Sequence, residues 1–181
     1  MRLPALPSLV VVACLAAGCA GISPPPGLSK QQLENAKYRL AYNGGEPFVL
    51  KDGRNDKVPT RSADTTLSVV MAENVAVGDL NGDGLQDAVV VLASNLGGTG
   101  TYMTLAAVEN DNGQPYHTAN ADLGDRTQVK ALRVEGNLVT VDVVRTGPND
   151  PACCPTEKAT LRFRYEQPGG KGTDWYLVPQ K

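Results

Sequence analysis

Histidine is nearly absent from this chain: one residue, His117, stands among 181. A Ser-His-Asp hydrolase would have to use that imidazole, and a zinc site built from several histidines is excluded. Aromatic residues are scarce at 5%, with a single tryptophan. Basic charge is not in excess, since 17 Lys and Arg face 19 Asp and Glu for a net charge of −2. A general nucleic-acid binder needs such an excess, so no nucleic-acid partner is expected. The apolar run Leu9 to Ala17 falls well short of the roughly 20 residues of a spanning helix. What remains, 41% hydrophobic and 20% charged, is the composition of one ordinary globular domain.

The N-terminus carries an address. Met1 and Arg2 give a positive start, the apolar run follows, and Ala16-Ala17-Gly18-Cys19 ends it. This arrangement resembles a bacterial lipoprotein signal, departing from it at Ala16, where leucine is commoner. The resemblance implies cleavage before Cys19, whose thiol would carry the lipid. It divides the chain into a signal at 1–18, a Pro-rich tether at 19–28 and a domain at 29–181. Cys14 is a rival acceptor, but it would shorten the apolar core. Ala20, standing where an Asp would retain the protein, implies an outer-membrane lipoprotein on the periplasmic face.

Ser23-Pro24-Pro25-Pro26 lacks the donors for helix or sheet and reads as an extended spacer. Ser29 is a candidate N-cap with Gln32 three residues on, flanked by Leu28 and Leu33 for a hydrophobic staple, so a short helix is expected over about residues 30–35. From Lys37 onward short β-type runs alternate with Asn-Gly, Asp-Gly, Gly-Gly and Gly-Asn pairs. Strands are expected over 36–42, 47–51, 65–77, 87–94, 101–109, 114–121, 128–134, 138–145, 160–166 and 175–178. Leu161, Phe163 and Tyr165 alternate with Arg162 and Arg164, and Val139, Val141 and Val143 with Thr140 and Asp142. Each of these strands should show one face to water. Ala88 to Leu92 is apolar without alternation, the pattern of a strand covered on both sides. The fold class is therefore mainly β: a single antiparallel β-sandwich or partly open barrel with a short N-terminal helix.

One motif carries chemistry. Asp79-Leu80-Asn81-Gly82-Asp83-Gly84-Leu85-Gln86-Asp87 puts side-chain oxygens at positions 1, 3, 5 and 9 and glycine at position 6. Ca²⁺ takes six to eight oxygens from such a curling loop. Asp79, Asn81, Asp83 and Asp87 would supply side chains and Leu85 its carbonyl, with Gly84 allowing the turn. Position 12 is Val90 where an EF-hand needs glutamate, and both flanks look like strands. The loop resembles instead the calcium loops of FG-GAP and VCBS-type repeats, a resemblance of about 20 residues in one copy that implies no propeller. A structural Ca²⁺ of modest affinity is the expectation, against an acidic Asn-Gly/Asp-Gly hairpin turn without metal.

Cys153 and Cys154 are the thiols left after processing and lipidation. Between prolines in Gly147 to Thr156 they can close a vicinal disulfide, stay reduced, pair between molecules, or serve redox or Cu(I) chemistry. Gly78 to Asp87, Asn95 to Tyr102, Leu123 to Arg126 and Gly147 to Thr156 together resemble a group of small bacterial envelope lipoproteins of unknown function. That resemblance carries no activity. Gly97-Gly98-Thr99-Gly100 lacks the lysine and helix of a phosphate loop and reads as a hairpin turn. His117 reads as a surface or edge residue, Asp125-Arg126 as a turn ion pair, and Lys158, Arg162 and Arg164 as a solvated strand face. With no catalytic set visible, the expectation is a non-enzymatic, lipid-anchored binding or scaffold domain. Its partners would be the membrane and an envelope protein or glycan. A thiol-redox or copper-handling protein using Cys153 and Cys154 is the alternative.

Overall fold

The computed structural model describes residues 27–60, 66–151, 153–169 and 174–181. The signal, the candidate acceptor Cys19 and most of the tether lie outside them.

Helix α1 (Lys30–Glu34) is nucleated by its cap. Ser29 Oγ accepts from Gln32 N at 3.2 Å, and Gln32 Oε1 accepts from Ser29 N at 2.9 Å. These reciprocal bonds satisfy amide groups that a helix start leaves without partners. Strands β1 (Lys37–Arg39) and β2 (Pro47–Val49) form a small hairpin. A five-stranded antiparallel sheet then runs in chain order through β3 (Arg54–Pro59), β4 (Thr66–Gly78), β5 (Asp87–Asn95), β6 (Tyr102–Asp111) and β7 (Gln114–Asp125). A four-stranded antiparallel sheet follows, ordered β11-β10-β9-β8 from β8 (Gln128–Glu135), β9 (Leu138–Arg145), β10 (Glu157–Glu166) and β11 (Tyr176–Gln180).

Strand β5 is the centre of this arrangement. Ala88, Val90 and Leu92 point into one cluster with Leu33, Tyr38, Leu40, Leu50 and Val69, under α1 and the β1–β2 hairpin. Val89 and Val91 point the other way, against Val139, Val141, Phe163 and Tyr165 of the second sheet. All five β5 residues are completely buried, and each Val or Leu so buried is worth about 1.5–3 kcal/mol relative to exposure. The unbroken apolar run is thus the signature of a middle layer, with the helix and hairpin on one side and the four-stranded sheet on the other. The chain is mainly β and antiparallel, as expected, and its sheets do not close into a barrel.

The ten expected strands all overlap observed ones, and an eleventh, β3, was not anticipated. Its sequence, Arg-Asn-Asp-Lys-Val-Pro, buries only Val58 fully and sits at a sheet edge where polar side chains and a proline are tolerated. Along β4 the register slips between Met71 and Val75. Beyond that slip the strand loses its β3 neighbour and passes against β8. There Gly78 is required by close approach: a Cβ on it would lie 2.5 Å from Val134 Cγ1 and 3.1 Å from Val134 Cβ. Gly78→Ala should therefore lower stability by about 1–3 kcal/mol through forced displacement. Gly98→Ala, where an added Cβ meets nothing within 4 Å, should stay within about 0.5 kcal/mol. Urea midpoints of the two variants check this.

Candidate functional site

The acidic segment forms the connection between β4 and β5, and its side chains fold back on their own backbone. Asp79 Oδ1 accepts from Gly82 N at 2.7 Å and Asp79 Oδ2 from Gly84 N at 3.0 Å. Asn81 Oδ1 accepts from Asp83 N at 3.0 Å, and Asp83 Oδ1 from Leu85 N at 2.7 Å. Asn81 Nδ2 donates to Asp83 Oδ2 at 3.1 Å. Short Asp and Asn side chains form such local turns readily. Gly82 and Gly84, at φ of 80° and 86°, take the left-handed conformation that glycine adopts without steric cost. Leu85 is half-buried, and Asp83 and the two glycines are exposed.

Asp87 lies buried in the interior and binds back to its own loop. Its carboxylate is completely buried; Oδ2 accepts from Leu80 N at 2.9 Å and Oδ1 from Asn110 N at 2.8 Å. Burial raises its pKa above the usual carboxylate value, the two amide bonds oppose that, and the charges of Asp83 and Asp79 add to it. Glu109, on β6, is the acidic neighbour that the sequence motif did not include. Burial raises its pKa first, while hydrogen bonds from Tyr165 and Asn81 lower it and the charges of Asp87 and Asp83 raise it. The Tyr165 hydroxyl donates to Glu109 Oε1 at 2.7 Å and lies 2.7 Å from Thr118 Oγ1. Asp79, Asn81 and Asp83 thus share one turn while Asp87 anchors it. Among the described residues no group of three or more His, Cys, Asp and Glu side chains gathers as a ready metal site.

His117 departs from the surface position expected of it. It lies on the edge strand β7 but is 6% exposed, with its ring 5.6 Å from that of Tyr38. The cause is a bulge: β7 pairs His117 with Val108 and Ala119 with Ala107, leaving Thr118 as an extra residue. His117 therefore faces the helix-side cluster, whereas Ala119 faces the second sheet. Its Nε2 lies 2.9 Å from Asn120 Oδ1. Burial lowers its pKa and the Arg39 charge acts the same way, against the Asn120 hydrogen bond.

Cys153 and Cys154 are joined in a disulfide between adjacent residues, both exposed. Asp150 holds the surrounding turn, accepting from Gly147 N at 2.9 Å, Thr156 N at 2.7 Å and Thr156 Oγ1 at 2.8 Å. Arg126 pairs with Asp125 and also donates to Thr99 O at 2.7 Å, tying the Gly97–Gly100 turn to the β7–β8 turn. Lys158, Arg162 and Arg164 are exposed on the outer face of the second sheet. A cleft of about 700 Å³ opens beside the acidic loop, with Asp79, Asn81, Asn137, Tyr165 and Trp175 in its walls. Trp175, expected to open the last strand, lies just before β11 and lines the cleft instead; its signal in the sequence is a lone tryptophan followed by Tyr176.

Replacing Asp87 by Ala removes the acceptor of two buried amides, and about 2–4 kcal/mol of stability should be lost. Asp87→Asn presents an amide group to donors at one of the two contacts and should recover only part of it, as chemical denaturation would measure. For His117 the lowered pKa means that the unfolded chain binds a proton near its usual value of about 6.5 that the folded chain refuses. The stabilising contribution is therefore complete above about pH 6.5 and is lost as pH falls through the folded-state value. Urea midpoints should fall between about pH 7.5 and pH 5, and His117→Gln should flatten that slope.

No curated protein and no solved structure matches the chain. Residues 85–167 match the family model described as LppP/LprE lipoprotein. That span runs from the end of the acidic loop through β10 and includes the Cys153–Cys154 turn. It leaves out Asp79, Asn81 and Asp83. The chain is similar over β5 to β10 to the LppP/LprE lipoproteins, and this supports a small, membrane-anchored lipoprotein of the cell envelope.

Proposed function

We propose that this protein is a non-enzymatic binding or scaffold module, held by lipid at Cys19 on the periplasmic face of the outer membrane, with one Ca²⁺ ordering the Asp79–Asp87 loop. The observation that carries the reading is where the domain meets its tether. Gly27 lies against Gln86, where an added Cβ would be 3.2 Å from Gln86 Cβ. Seven residues lie between Cys19 and Gly27, and the eight residue-to-residue steps, at roughly 3.3–3.6 Å each, reach at most about 29 Å. A lipid at Cys19 would then keep the acidic loop at the membrane-facing end.

The donor set suits a hard cation: Asp79, Asn81, Asp83 and Asp87 supply carboxylate and amide oxygens and Leu85 a carbonyl. The amide bonds already made leave each oxygen a further lone pair. Calcium would neutralise the mutual repulsion of the three carboxylates and fix the turn beside the tether. The test is thermal unfolding of the full chain in detergent with millimolar calcium or with chelator, beside Asp83→Ala. Ligand linkage is worth about 2.7 kcal/mol at a hundred times the dissociation constant, so calcium should raise the midpoint by several degrees in the parent only. An unchanged midpoint would remove the ion from the account.

A further inference from the structure

We propose that the seam between β7 and β11 is a binding groove for an uncharged glycan, with Trp175 as its platform. The proposal rests on the binding-module reading above and gives that module a ligand class, but it does not depend on calcium.

Strands β7 and β11 are edge strands of different sheets that run beside one another. Their seam holds an open groove of about 570 Å³ with Glu109, Tyr116, Thr118, Gln167, Asp174 and Trp175 in its walls. An adjoining hollow of about 300 Å³ shares Trp175 and adds Asn120 and Tyr176.

Three features of this groove match the chemistry of a sugar. Trp175 is held in advance: its ring stacks on Tyr165 at 4.5 Å between centroids and 4° between planes. Tyr165 is itself buried and fixed by Glu109 and Thr118. A platform already immobilised costs little entropy when a ligand settles on it. Flanking it, Tyr116 and Tyr176 are 56% and 50% exposed, in a chain where aromatics are 5% of residues. The core beneath closes with Tyr165, Phe163 and Leu177 and makes no use of either ring. Finally, the rim bears planar carboxylate and amide groups, which can exchange hydrogen bonds with paired hydroxyls.

A pyranose has the complementary surface, with weakly positive C–H groups on one face for the negative face of an aromatic ring and hydroxyls around its edge. Glu109 and Asp174 against Arg39 leave the groove without the positive charge that a phosphate or sulfate needs, so the sugar is uncharged. Its openness along the seam suits a chain of residues rather than a free monosaccharide.

Trp175 is the only tryptophan, so its fluorescence reports ligands at this end of the molecule. The Tyr116 and Tyr176 variants below assign the response to the groove rather than to the cleft beside the acidic loop, which Trp175 also lines. The full chain in detergent is titrated with soluble neutral polysaccharides (a β-glucan, a mannan, an arabinogalactan) and with dextran sulfate. The expected result is a saturable emission change with at least one neutral polymer. Tyr116→Ala and Tyr176→Ala, exposed sites whose melting temperature should not move, should each weaken binding about three- to tenfold. No emission change with any neutral polymer, a response to dextran sulfate alone, or binding unaltered in both variants overturns the proposal. The calcium melting experiment is unaffected by any of these results, so the two readings fail separately.

Discussion

A single buried carboxylate holds together the end of the molecule where the chain enters the domain. Asp87 joins the amide of Leu80, in the acidic loop, to the amide of Asn110, at the end of β6. Asn110 continues the chain of bonds, donating from Nδ2 to Gln86 O at 3.2 Å and accepting from Gly113 N at 2.7 Å. Gln32 of α1 then donates to Gly113 O at 2.6 Å. The first helix, the acidic loop and the β6–β7 turn are therefore one hydrogen-bonded unit. Burying a charge is costly unless it is hydrogen-bonded, and here one backbone amide bonds each carboxylate oxygen. The raised pKa of Asp87 is what remains of that cost.

Above this junction the fold is governed by β5, which has no face free for water. The β6 residues Ala106 and Val108 go to the helix-side cluster, and Leu105 and Ala107 to the second sheet. The second sheet needs only one apolar face, so Arg133, Asp142 and Thr160 meet on its outer side, with Arg133 and Thr160 each 2.7 Å from the carboxylate. Those two bonds, Thr160's foremost, hold the Asp142 pKa below the usual carboxylate value.

How far the sequence foretold this depended on whether the deciding physics was local. The β5 run, the alternation in β9 and β10, the Ser29 cap and the glycine-containing turns each state their environment within a few residues, and strands were found wherever they were expected. β3 was missed because an edge strand has little to bury and Arg54 to Lys57 show no alternation. The burial of His117 was missed because it follows from the bulge at Thr118, a consequence of pairing with β6. For the site, the spacing of Asp79, Asn81, Asp83 and Asp87 was plain, but not that Asp87 would turn inward and join the loop's Leu80 amide to the distant amide of Asn110. Trp175 meets Tyr165 through the β10–β11 pairing, but Glu109 lies far from both in sequence, and only the packing of the two sheets brings it to Tyr165.

The most direct test of this account is hydrogen exchange at the Leu80 and Asn110 amides in the full chain. If the Asp87 carboxylate holds the junction closed, both amides will exchange only through near-global unfolding, far more slowly than Gly82 and Gly84 in the exposed turn. Exchange of Leu80 and Asn110 at the rate of those glycines would contradict the account, because the loop and the β6–β7 turn would then open independently.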